Sequence, residues 1–208
     1  MIRRLLASAA LVVAALPSWA GTGVFGSYLA IDPDGPGAAA ATWYGATQPG
    51  PATLTAFNGV NLGTFVLGST ATIAGGELLS WKNGTGNVTG GVLHWRVDSG
   101  TFQDLTINFT ANSTFVDRAG NTFSNTGDQR WAALASTSTN FLAGVAAGAH
   151  TLQVYFTAFT NEGNRDSGSV TAPFSANFTV TSAVPEPGSA ALLLAGMGLI
   201  AFRRRQWR

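Results

Sequence analysis

Four short runs of this chain alternate apolar and polar residues with a period of two, and that spacing commits them to strands with one buried and one wetted face. The cleanest is Leu105-Thr106-Ile107-Asn108-Phe109-Thr110, with Leu105, Ile107 and Phe109 on the face expected to be buried. Residues 92–98 place Leu93, Trp95 and Val97 against His94, Arg96 and Asp98. Residues 151–159 set Leu152, Val154, Phe156 and Ala158 against Thr151, Gln153, Tyr155 and Thr157. Residues 174–181 do the same with Phe174, Ala176, Phe178 and Val180, and residues 60–67 form a less regular fifth strand. Turn residues such as Asn83-Gly84, Ser99-Gly100 and Gly120-Asn121 separate the runs, and no stretch sustains a helical period. The reading is all-β. One-sided strands hide their apolar faces most simply by stacking, so an antiparallel β-sandwich of jelly-roll or immunoglobulin-like type is expected, with a closed barrel as the alternative.

The two ends do not belong to that pattern. Arg3 and Arg4 precede an apolar run over residues 5–16, which Pro17 ends. Ser18 and Ala20 then put small residues three and one positions before Gly21, the shape a signal peptidase accepts. The run is short of the roughly 20 residues that span a bilayer, which favours a cleaved signal helix over a retained anchor. Residues 1–20 are thus expected to be removed between Ala20 and Gly21.

At the other end Pro185-Glu186-Pro187 leads into an uncharged stretch, residues 188–202, and then Arg203, Arg204, Arg205 and Arg208. As a helix the stretch rises about 22 Å, marginal against a hydrocarbon core of about 30 Å unless arginine side chains reach back to the interface. The basic cluster is expected to stay cytoplasmic. A Val-Pro-Glu-Pro motif, a short apolar helix and an arginine cluster in this order resemble the PEP-CTERM sorting signal. The resemblance covers residues 184–208. It implies that an exosortase recognises Pro185, Glu186 and Pro187 and removes the tail, in a Gram-negative bacterium. The chain would be anchored transiently in the inner membrane, then displayed on the cell surface or released.

Between the two signals lie residues 21–183, enough for one domain with its own core. Here five bases face nine acids, a formal net charge of −4, whereas the whole chain is formally +1. A domain with this balance lacks the basic footprint of a nucleic-acid binder. There is no cysteine, so neither disulfides nor thiolate metal sites nor a cysteine nucleophile are available.

The polar residues offer little chemistry in sequence. His94 and His150 are the only histidines, and neither has the spaced partners of a zinc site or a triad; both read as solvated strand residues. The acid pairs Asp32 and Asp34, Asp98 and Asp104, and Glu162 and Asp166 all sit among turn residues, where a carboxylate commonly caps its own backbone. The loops around Asp34 and Glu162 carry oxygen ligands but match no full calcium pattern, so no metal or cofactor is expected. Trp95 goes to the core by parity. Trp43, Tyr44 and Tyr155 remain as aromatics able to stack on a sugar ring. The expected function is that of a non-enzymatic envelope or matrix protein, structural or adhesive, with exopolysaccharide as a ligand. The alternative is a carbohydrate-active enzyme that uses one of the acid pairs.

Overall fold

The computed structural model describes residues 21–35, 41–45, 56–133 and 139–183, together with Met197. The expected signal helix with Ala20, the Pro185-Glu186-Pro187 motif, the C-terminal helix and the arginine cluster lie outside the described residues. No helix among the described residues is long and apolar enough to cross a membrane.

Among the described residues from 21 to 183, every regular element is a strand. In chain order they are β1 (Gly21–Asp32), β2 (Thr42–Gly45), β3 (Asn61–Val66), β4 (Thr72–Asn83), β5 (Val88–Val97), β6 (Gln103–Asn112) and β7 (Phe115–Val116). They continue with β8 (Thr122–Phe123), β9 (Asp128–Ala133), β10 (Thr139–Asn140), β11 (Gly148–Thr160), β12 (Arg165–Ser167) and β13 (Phe174–Thr181). All five strands read from the alternation are present, as β3, β5, β6, β11 and β13.

The fold is all-β, built around one curled sheet. Its strands run in the order β2-β1-β4-β9-β6-β5-β11-β13-β3, with β10 added to β4 and β12 to β11. The sheet turns at β6. The first half of that strand pairs with β5, ending at Gly91↔Ile107, and its second half pairs with β9, beginning at Asn108↔Ala132. A register shift between Phe109 and Ala111 marks the bend. The sheet path ends at β2 and β3, which do not pair with each other among the described residues. One pair departs from the antiparallel expectation: β13 and β3 run parallel. A parallel pair needs a long connection, and here most of the chain lies between the two strands.

The curl encloses a single core. Leu29 and Ile31 of β1 and Ile73 and Leu78 of β4 share it with Leu93 of β5, Phe156 of β11 and Phe178 of β13. Across the core, Gly76 of β4 sits against β11 and β5, where a Cβ would lie 3.1 Å from the Phe156 ring and 3.4 Å from Leu93. Trp95 is buried in this core, as its parity requires.

The Phe109 expectation is overturned. Phe109 shares the parity of Leu105 and Ile107 yet is 51% exposed. Alternation holds only while a strand keeps to one layer, and Phe109 lies beyond the point where β6 changes partner.

A second apolar cluster forms on the outer face. Tyr28 and Leu79 project away from the main core and are covered by Phe115 of β7, with Phe25, Trp43 and Phe123 packed beside them. The β7–β8 hairpin is the connection between β6 and β9, folded back as a flap over β1 and β4. Those two strands are therefore buried on both faces.

Candidate functional site

Three places on the sheet gather polar or aromatic side chains. The first is the notch where β6 leaves β5. Gly90 and Gly91 of β5, Thr106, Ile107, Asn108 and Phe109 of β6, Trp131 of β9 and Phe159 of β11 border an open depression of about 470 Å³. Phe109 meets Trp131 edge-on, with ring centroids 5.3 Å apart, and Phe159 is 39% exposed. Gly90 lies beside the second aromatic wall, where a Cβ would make ordinary contact with the Phe159 ring at 3.4 Å. The Thr89 hydroxyl donates to the Phe159 carbonyl at 3.3 Å, and Thr106 and Asn108 add a further hydroxyl and an amide to the lining. Two exposed rings beside neutral donors and acceptors suit a flat, hydroxyl-rich ligand.

The second is the outer face of β6, β5 and β11. Tyr155, His94 and Asp104 stand directly across from one another on the three strands. His94 Nδ1 lies 2.6 Å from Asp104 Oδ1, its Nε2 lies 3.2 Å from the Thr157 hydroxyl, and its ring stacks on Tyr155 at 4.3 Å. Thr157 in turn donates to Asp166 at 2.7 Å. Phe102 packs edge-on against Tyr155, and the Arg96 guanidinium sits 4.2 Å from the Phe102 ring centroid while bonding Gln153. The Asp104–His94–Thr157 line has the connectivity of a hydrolase triad. Thr157 is only 4% exposed and its proton is already given to Asp166, so the hydroxyl is held as a structural link. His94 is accordingly no solvated strand residue. Burial, with the charges of Asp166 and Asp104, raises the Tyr155 phenol above its ordinary range despite Arg96.

The third lies beneath the flap. The Tyr28 hydroxyl donates to Asp117 at 2.6 Å, and Asp117 also accepts from the backbone N–H groups of Ala119 and Asn121. Burial raises the Asp117 carboxyl, but these bonds together bring it below the usual carboxylate range. Glu77, fully buried, pairs with Arg130, and the Arg118 guanidinium lies 3.4 Å from the same carboxylate.

The aromatics expected to bind sugar are not brought together. Trp43 is covered by Arg118, whose guanidinium sits 4.3 Å from the indole centroid. Tyr44, next in sequence and on the opposite face of β2, packs on the main core against Phe57. Tyr155 stands on the other half of the sheet. The acids are also dispersed. Asp32 accepts from the Asp34 N–H in a local turn, Asp98 binds His150, Asp104 binds His94, and Glu162 accepts from Thr22. Among the described residues no group of three or more His, Cys, Asp or Glu is placed to hold a metal.

The sequence reading missed Phe159, Phe102 and Glu77. Phe159 ends its strand on the wet face, where an aromatic among threonines was the available sign. Glu77 carried none, because nothing in its neighbourhood foretells its burial against an arginine partner.

The decisive likeness lies outside these faces, directly beyond β13. Residues 183–206 match the PEP-CTERM protein-sorting motif. The motif implies an exosortase as processing partner, export with membrane-associated sorting, and delivery to the cell surface. No curated protein matches the chain.

Proposed function

We propose that the domain is a non-catalytic module of the cell surface or extracellular matrix that holds neutral polysaccharide in the notch between β5, β6 and β11. The observation that carries this reading is the pair of exposed rings, Phe109 and Phe159, facing one depression beside Thr89, Thr106 and Asn108. An aromatic face stacks on the C–H side of a sugar ring, and neutral side chains satisfy its hydroxyls. The face-to-face packing of the two halves of the curled sheet supports treating the domain as a rigid sandwich-like frame for that notch. A binding role is favoured over cleavage because Asp32, Asp98, Asp104, Glu162 and Asp166 are each engaged with a histidine, a threonine or a local turn.

A glycan array, followed by pull-down with the producing cell's own polysaccharide, tests the reading. Phe109→Ala and Phe159→Ala are expected to reduce retention, with little change between low and high salt, since a neutral ligand is not screened. Equal retention by wild type and both variants would remove the notch as the site. Turnover of the glycan, abolished by changing Asp104 or Asp166, would favour the enzymatic alternative instead.

A further inference from the structure

The segments that flank the point where the sorting tail leaves the domain are rich in small and apolar residues and carry no charge. The last strand residue, Thr181, pairs with Val66 of β3, and the Leu67 N–H donates to the Thr181 carbonyl at 2.8 Å. On the other side of β13, Val180 pairs with Gly148, which the exposed Ala146 and Ala147 immediately precede. The exit is thus flanked on one side by Val66 and Leu67, each 50% exposed, and on the other by a loop of alanines and glycines around Val145. Residues 64–70, 143–149 and 179–184 contain no charged side chain. His150 and Asp98, which bind each other at 2.8 Å, follow the 143–149 segment, and the exposed Asp34 adjoins Gly35, which packs on Thr70.

The far end of β11 is different. About 40 Å along the strand, Glu162 and Arg165 gather with Thr22 and Lys82 pairs with Asn87.

We infer that this pole, centred on Val66, Leu67, Ala146 and Ala147, rests on the bilayer surface while the tail is still attached. The inference depends on the tail being held in the membrane, as the sorting motif implies. Six residues, 182–187, separate Thr181 from the start of the uncharged stretch, at most about 25 Å of extended chain. So short a tether keeps the pole at high local concentration beside the bilayer, where weak apolar contacts suffice. The contact also orients the domain, holding the chain around Pro185 near the interface where a membrane enzyme works.

The chain has no native cysteine, so single labels are clean reporters. Full-length protein bearing a fluorophore at Leu67→Cys, Ala147→Cys, Asn164→Cys or Met197→Cys is inserted into vesicles of phosphatidylethanolamine and phosphatidylglycerol with an acyl-chain quencher. Strong quenching is expected at 67, 147 and 197, and none at 164. Adding Val66→Asp and Leu67→Asp to the Ala147→Cys protein should abolish quenching at 147. If 197 is quenched while 67 and 147 behave like 164, the pole stands off the membrane and the inference fails with the tail reading intact. An unquenched 197 removes the tail reading and the inference with it. Contact between labels at 67 that grows with protein density, without lipid quenching, would assign the pole to a second copy of the chain and overturn the proposal.

Discussion

The buried Glu77 carboxylate accepts two bonds from Arg130 through one oxygen, from Nε at 2.9 Å and from Nη2 at 2.6 Å. Glu77 lies on β4 and Arg130 on β9, and Arg118 reaches the same oxygen from the flap. Burial pushes the Glu77 carboxyl above its usual range, and the two arginines only partly offset it. The arginine side chains keep some contact with water, at 23% exposed for Arg130 and 33% for Arg118, whereas Glu77 keeps none.

That asymmetry predicts unequal costs. Arg130→Ala strands a buried charge and should destabilise the domain by about 3 to 5 kcal/mol. Glu77→Gln leaves two arginines that can turn to water, and should cost about 1 to 3 kcal/mol. Urea unfolding of both variants decides the order, and a larger loss for Glu77→Gln would contradict this account.

His150 and Asp98 predict a pH window. The Asp98 hydrogen bond, against a smaller effect of burial, raises the His150 imidazole above its ordinary 6.5. A histidine held above its unfolded value contributes stability that is complete below that value and lost as pH rises through the folded one. Asp98 is the mirror case: burial raises it, but bonds from His150 and the Thr151 N–H bring it below 3.8. Its contribution is complete above 3.8 and lost as pH falls through the folded value. The pair therefore acts in full between 3.8 and 6.5. The urea midpoint should fall between about pH 6 and pH 8, by no more than about 1 kcal/mol because Asp98 is half exposed. His150→Gln should flatten that slope, and an unchanged slope would place its origin elsewhere.

The strand β6 gives a test of the core. Phe156→Ala removes a fully buried ring between the layers and should cost about 3 to 5 kcal/mol. Phe109→Ala removes a ring that is half in water and should cost about 1 kcal/mol. Equal losses in thermal or urea unfolding would mean that Phe109 is buried after all.

The same contrast explains what could be read from the chain. β5, β11, β13 and the first half of β6 have one wet face, so burial leaves a period of two in their residues. β1 and β4 have none. The flap covers Tyr28 and Leu79 while Leu29 and Leu78 face the core, and two-sided burial erases alternation. Gly21, Gly23 and Gly26 further disguise β1, because glycine there makes room for Trp81 and Leu79 of the neighbouring strand. The notch was hidden for a related reason: it arises where β6 changes partner, and a change of partner has no periodic signature. The sorting motif was legible because it is a linear signal whose parts lie side by side in sequence.

The last prediction concerns that signal. In cells carrying an exosortase, mass spectrometry of the surface protein should find a chain that begins at Gly21 and lacks Arg203 to Arg208. Pro185 and Pro187 carry no backbone N–H and no charge, which leaves Glu186 as the motif's one charged handle. Glu186→Ala should therefore block tail removal without weakening the membrane hold, since residues 188–202 and the arginine cluster are untouched. The variant should accumulate uncut in the inner membrane with its domain folded. Surface protein that retains Arg208, or normal trimming of Glu186→Ala, would show that the tail is handled by another route.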